Sequence, residues 1–462
     1  MQLERGMQAV VIGLGAAGLS TVKYLLRRGL RVAVSERSDL DRMAPDMLHF
    51  LEHNQVRLET GGHSSAFLAD ADLLVPGPGV PLNLPILIAA REQGIPVLGE
   101  LALAAGRFEV PVIAVTGSNG KTTVTSLIGA LLQAAGKQPF VGGNIGTPLL
   151  SYFADPRPYG IVVLELSSFQ LDLAGGFRPD IGLLLNITPD HIDRHGTLAA
   201  YIAAKKSLFT SQRTGDVAIL GGDDPVTDAA SLNTGVNAFR FGRDSRSAAG
   251  IVDGRINIGL EHAGIRSEEI YNLEQSKLHS SVNQLNAAAA ILAATLCGCS
   301  PAAIREGLAI FEPPPHRMAE VAEIDGVRFI NDSKATNIGA LAAALNGCEV
   351  PVVLIAGGRD KGSDYSLLRE VVREKVKYLI LIGEAAGLMQ SALGEEVITA
   401  TVTTMAEAVK RAHTVAVRGD LVLLAPGCAS YDMFSGYEER GRVFAECVQS
   451  LRKESIERLS EQ

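Results

Sequence analysis

Thr116-Gly117-Ser118-Asn119-Gly120-Lys121-Thr122-Thr123 lies between an apolar run at 111–115 and a helical pattern at 124–135. A strand, a glycine loop and a helix in that order make a phosphate cradle. Glycines let the backbone approach an anion closely, and the helix N-terminus offers free N–H groups and the positive end of a dipole. The spacing predicts that Lys121 reaches the β- and γ-phosphates of ATP and that the Thr122 hydroxyl ligates Mg²⁺. The loop is shorter than the common GxxxxGK[ST] form, because Val115 stands where its first glycine would be.

Strand and helix patterns alternate outward from this loop in both directions. Apolar runs at 8–12, 31–34, 73–75 and 95–98 precede it, with a helical pattern at 17–28. Buried-strand runs at 161–166 and 181–186 follow, each closed by polar residues. Pro313-Pro314-Pro315 cannot continue a helix or a central strand, so it marks a linker. Strand runs resume at 327–330, 352–355, 378–382 and 421–424. The alternation predicts three α/β domains with parallel sheets: 1–99 and 314–462 Rossmann-like, 100–313 a P-loop unit. Ligands in such sheets sit at the carboxyl ends of the strands.

Composition narrows the classes. The net charge of −9 argues against a nucleic-acid partner, which needs a basic footprint. Five scattered cysteines suit reduced thiols in a cytoplasmic protein. No run of 18 uncharged apolar residues predicts a membrane span, and the N-terminus does not read as a signal peptide.

Three further clusters follow strands. Gly13-Leu14-Gly15-Ala16-Ala17-Gly18 matches GxGxxG, with Glu36 eighteen residues beyond Gly18. A nicotinamide or flavin site and a nucleotide-sugar site compete for this motif. Glu165 ends the strand run at 161–166, where a second Mg²⁺ anchor commonly sits beside a P-loop. Asp190-His191-Ile192-Asp193-Arg194-His195 caps the next strand; His191 is a candidate metal ligand, oriented by Asp193 or Asp190. Lys205 and Lys206 follow on an amphipathic stretch.

Together these motifs resemble the Mur ligases, which build the peptide of peptidoglycan. The resemblance continues through Pro315-His316-Arg317, Asn331-Asp332-Ser333-Lys334-Ala335-Thr336-Asn337, Gly357-Gly358-Arg359-Asp360-Lys361, the segment at 425–434 and Glu438-Glu439-Arg440-Gly441. Glu165-Leu166-Ser167-Ser168-Phe169-Gln170-Leu171, Asn119 and the GxGxxG opening are similar to the D-glutamate-adding branch. The resemblance implies ATP-dependent addition of D-glutamate to UDP-N-acetylmuramoyl-L-alanine through an acyl phosphate, by a cytoplasmic monomer. It implies that Thr116, Gly117, Ser118, Asn119, Gly120, Lys121, Thr122 and Thr123 hold ATP, with Asn286, Arg317 and Asp332. Two Mg²⁺ ions are implied: one on Thr122 and Glu165, the other on His191 and on Lys205 carried as a carbamate. Gly13, Leu14, Gly15, Ala16, Ala17, Ser35, Glu36, Arg37 and Gly77 would surround the uridine diphosphate, and Asn144 and Ser167 the muramoyl part. Lys334, Thr336, Lys361, Ser430 and Tyr437 would line the D-glutamate pocket. Ser35, Ser280, Val282 and Tyr437 depart from the family pattern, which commonly has Asp, Gly, His and Phe there.

Such chemistry sets demands. Lys121, Glu165, His191 and Lys205 would form its catalytic centre. Two anions, a carboxylate and the γ-phosphate, must meet, so cations must neutralise them. The attacking amine needs a base, for which His191 and a nearby carboxylate are both open. Closure of the third domain would exclude water.

Overall fold

The structure is a computed structural model. It describes residues 3–460 apart from Ser245, Gln275 and His279, and the side chains of Asp193 and of residues 457–460 lie outside the description. Among the described residues the strands form three sheets, of four, nine and six strands.

The first sheet is parallel, in the spatial order Arg57–Glu59, Arg31–Ser35, Gln8–Ile12, Leu73–Pro76. The run at 95–98 contributes one isolated bridge, Leu74 to Val97, and not a strand. Pro96 has no N–H to extend the ladder. Gly18 is required on steric grounds, since a Cβ there would lie 2.1 Å from the Gly13 carbonyl oxygen.

The nine-stranded sheet has Val112–Thr116 near its middle, between Ile161–Glu165 and Ile181–Leu184, all parallel. The residues of these three strands are all buried, which is why they read as continuous apolar runs. The expectation of a purely parallel sheet fails at one edge. There Ala249–Val252, Arg255–His262 and Ile265–Asn272 run antiparallel. Their turns, Asp253-Gly254 and Ala263-Gly264, have positive φ at both residues (50° and 71°, 49° and 81°). That is the two-residue hairpin geometry that matches strand twist. Helix Ser281–Leu296, with a buried Ala287-Ala288-Ala289-Ala290 run, packs on helix Lys121–Ala134. It stiffens the helix that follows the phosphate loop.

The six-stranded sheet orders Ala319–Ile324, Val327–Asn331, Leu421–Leu424, Val352–Gly357, Val376–Ile382, Thr399–Thr401. Only its first pair is antiparallel, joined by Asp325-Gly326 with φ of 54° and 77°. No described helix is long and apolar enough to cross a membrane.

Candidate active site

Gly117 (φ 154°) and Gly120 (φ 82°) bend the chain out of the central strand and into helix Lys121–Ala134. A Cβ at Gly120 would meet Asn286 Oδ1 at 2.3 Å, so this approach also needs glycine. Neighbouring loops fix the bend. Asn186 accepts from the Asn119 N–H (2.8 Å) and donates to the Asn119 carbonyl (3.1 Å). The Ser118 hydroxyl is held by the Thr188 carbonyl (2.9 Å) and the Tyr201 hydroxyl (2.8 Å). Thr116 turns its buried hydroxyl inward to the Leu166 carbonyl.

Lys121 curls over this loop, and its Nζ donates to the Gly117 and Ser118 carbonyls at 2.8 Å each. Burial pulls its pKa down, while Glu165 and Asp190 pull it back up. Lys205 is 1% exposed, donates to the same Gly117 carbonyl at 2.8 Å and lies over the Tyr201 ring. Burial, and then the charge of Lys121, push its pKa well below the usual lysine range. A neutral amine is the form that adds carbon dioxide.

Glu165, at the end of its strand, accepts from Asn144 at 2.8 Å through Oε1. Its buried Oε2 has no partner. An orphaned carboxylate oxygen beside a phosphate loop fits a cation ligand. His191 has φ 54°, which aims its ring toward Asp190 (3.6 Å) and the Phe169 edge. Burial first, against the pull of Asp190, lowers its pKa and favours the neutral ring that a metal needs. Among the described residues no three His, Cys, Asp or Glu side chains form a ready-made metal cage. That suits Mg²⁺, which takes few protein ligands and several phosphate or water oxygens.

The third sheet closes over this centre. Asn337, the N-cap of helix Ile338–Asn346, donates to Asp190 (2.9 Å) and Asn119 (3.3 Å). Lys361 Nζ lies 3.6 Å from Asp190. Burial would raise the Asp190 pKa, but Lys361, His191 and Asn337 outweigh it and hold the carboxyl low. A cavity of about 720 Å³ results, in which Ser118, Asn119, Gly120, Lys121 and Thr122 face Arg317, Lys334, Thr336, Lys361, Ser430 and Tyr437. Asn144, Glu165 and His191 also line it. A narrow extension of about 70 Å³ holds Thr123, Asn286 and Asp332. A branch of about 220 Å³ holds Ser167 and Lys205. Lys334 sits 3.5 Å above the Tyr437 ring, and burial brings its pKa to about 8.

The residues expected around a uridine diphosphate line none of these three spaces. They gather at the carboxyl end of the first sheet. Glu36 accepts there from the Leu14 N–H (2.6 Å) and the Ser38 N–H (2.9 Å). Ser35 is fully buried, with its hydroxyl on Glu59 (2.6 Å) and His63 (2.8 Å). Gly77 shares a small slot with Phe169, Gln170 and Arg194 of the central unit.

Asn337 and Arg440 stand in the family motifs without an assigned role, and Tyr201 carried no signal in the sequence. The Arg440 guanidinium is 1% exposed and donates to the Ser333 hydroxyl and carbonyl and to the Cys428 and Ala429 carbonyls. An arginine in a run of charges reads as solvated surface, so only the fold reveals it.

Comparison with known proteins fits this arrangement. The model for a Mur ligase MurD-like N-terminal domain matches residues 7–99, the Mur ligase middle domain 115–294, and the Mur ligase glutamate ligase domain 316–428. The chain belongs to the Mur ligase family. Among its relatives, the UDP-N-acetylmuramoylalanine--D-glutamate ligase of Desulfotalea psychrophila is 46% identical over 441 residues, covering 96% of this chain and 95% of that one. Proteins of the same name from Acidobacterium capsulatum and Pelotomaculum thermopropionicum are 41% and 42% identical, each over 96% of this chain and over 96% and 98% of their own. Solved structures share the fold: a pseudomurein peptide ligase type C from Methanothermus fervidus (TM-score 0.61, 17% identity, 96% and 100% coverage) and MurF ligase from Thermotoga maritima in complex with ADP (0.60, 18%, 96% and 96%).

Proposed function

We propose that this chain is an ATP-dependent amide ligase that adds D-glutamate to UDP-N-acetylmuramoyl-L-alanine. The observation that supports it most is the shared cavity of about 720 Å³, where a phosphate loop meets cationic and hydroxyl side chains of the third sheet. The names of relatives at 41–46% identity support the choice of substrates. We assign 1–99 to the UDP substrate, 100–313 to ATP and 314–462 to the amino acid. Five free cysteines suit a reducing, cytoplasmic setting, and one chain supplies every assigned residue.

A carboxylate is a poor acyl donor, because oxide leaves badly. Transfer of the γ-phosphoryl group of ATP to the alanyl carboxylate makes phosphate the leaving group. The amine of D-glutamate attacks the acyl carbon, and phosphate leaves from the tetrahedral intermediate. Gly117 to Thr123 hold the nucleotide phosphates; Lys121 exchanges the loop carbonyls for phosphate oxygens and stabilises the transferring group. Asn286, Arg317 and Asp332 hold the nucleoside end. Two Mg²⁺, when bound, add positive charge where carboxylate and γ-phosphate meet. Thr122 and Glu165 would hold one, His191 and the carbamate of Lys205 the other. Asn144 and Ser167 position the muramoyl group, and the Gly13–Gly18 turn with Ser35, Glu36, Arg37 and Gly77 the uridine diphosphate. Lys334, Lys361, Thr336, Ser430 and Tyr437 take the two carboxylates of D-glutamate. With His191 taken up by Mg²⁺, we assign the amine proton to a nearby carboxylate, Asp190.

The test is ATP consumption against a panel of D- and L-amino acids with UDP-N-acetylmuramoyl-L-alanine present. Turnover is expected with D-glutamate. Turnover that needs a different amino acid, or none, would overturn the reading.

A further inference from the structure

The D-glutamate end of the cavity is strongly cationic. Lys334, Lys361 and Arg317 suit two carboxylates, but the substrate also carries an ammonium, and every cation among these repels it. Three carboxylates line the cavity: Glu165, Asp190 and Glu438. Glu165 is committed, with Oε1 on Asn144 and the buried Oε2 suited to a cation. Asp190 is committed to Asn337, Lys361 and His191. Glu438 is different. It stands in the first turn of helix Tyr437–Ser460, beside the Tyr437 ring that carries Lys334. Its carboxylate accepts from the neighbouring Tyr437 hydroxyl and acts through space on Lys334 and His316, but among the described residues no lysine, arginine or histidine nitrogen lies within ion-pair distance of it.

We propose that Glu438 receives the α-ammonium of the incoming amino acid and so selects an amino dicarboxylate over a plain dicarboxylate. The inference rests on the D-glutamate reading above. The residue is exposed and lines the cavity, and the Tyr437 hydroxyl leaves carboxylate lone pairs open to a further donor. Its neighbourhood feels the charge: Tyr437 is pushed up by burial and then by Glu438, and Glu438 opposes the depression of Lys334. Docking the ammonium here leaves the opposing lysines for the two carboxylates. The sequence placed Glu438 in a family motif but gave it no role, because a glutamate at a helix start reads as a favourable dipole partner.

The test uses the full-length chain with Glu438→Gln and Glu438→Asp, assayed for the KM of D-glutamate and for inhibition by glutarate, which lacks the ammonium. Glu438→Gln should raise the KM for D-glutamate about tenfold or more, as for loss of a charged hydrogen bond. The same change should tighten glutarate, because a repelling carboxylate is gone. Glu438→Asp should keep the wild-type order of preference. A KM within about twofold of wild type would overturn the proposal, as would parallel weakening of both ligands, which marks general damage. Wild-type turnover with D-glutamate separates this result from the function itself: if the wild type does not use D-glutamate, the substrate reading fails first.

Discussion

Gly339 is the second residue of helix Ile338–Asn346, just after Asn337. A Cβ built there would lie 2.4 Å from Thr188 Oγ1 and 2.6 Å from Thr188 Cβ. Its φ is ordinary, so lack of space alone demands glycine. Thr188 belongs to the phosphate-loop side and Gly339 to the third sheet, so Gly339→Ala clashes only across the closure. Within its own helix alanine is preferred by roughly 1 kcal/mol. Overpacking of this kind costs about 1–3 kcal/mol, and at 1.4 kcal/mol per tenfold the closed population should fall roughly 5- to 150-fold. The assay is kcat/KM for D-glutamate by phosphate release, with a thermal melt on the same sample. The expected pair is a loss of activity in that range with a melting temperature unchanged or raised. Thr188→Gly in the same chain should restore part of the loss. Wild-type kcat/KM in Gly339→Ala, within about twofold, would refute the reasoning that this contact completes the site.

Three other outcomes are expected. Lys121→Ala should lower ATP turnover by at least about a hundredfold with an unchanged melt; retained phosphate release would remove the loop from the mechanism. Lys205→Ala should be impaired and partly rescued by short carboxylic acids that replace the carbamate oxygens, and absence of rescue counts against the carbamate. Burial, opposed by the Met318 N–H and Arg317, holds the Asp332 pKa at about 6, above the ordinary value of about 3.9. The folded chain therefore keeps a proton that the unfolded chain loses. This contribution is full below pH of about 4 and is lost as pH rises through about 6. Asp332→Asn lacks the titration, so denaturant midpoints should show the variant gaining on wild type from pH 4 to pH 7. A constant difference across that range would exclude the effect.

Much of this was legible where the chemistry is local. A phosphate loop needs glycine at fixed offsets in one short segment, so Gly117, Gly120 and Lys121 declared themselves. Buried parallel strands declared themselves as apolar runs, and Val112–Thr116 and Leu421–Leu424 fall within one residue of their expected bounds. The antiparallel edge was misread although Asp253-Gly254 carried a hairpin signal, because strands such as Ile265–Asn272 alternate polar and apolar and lack a buried run. The clasp between Asn119, Asn186 and Asn337 was not legible. Its partners are far apart in sequence, and asparagine serves equally in turns and caps. The expected orienting role of Asp193 falls on a side chain outside the described residues, whereas Asp190 contacts His191.

Arg440 touches no reacting group, yet it ties Ser333 to Cys428 and Ala429, the segments that present Lys334 and Ser430. Translation reaches it only after Lys121, Glu165, His191 and Lys205 have been made. A nascent chain on the ribosome can thus fold its phosphate loop before it has the side chain that pins the opposing wall. The two walls of the cavity are therefore completed at different points of synthesis.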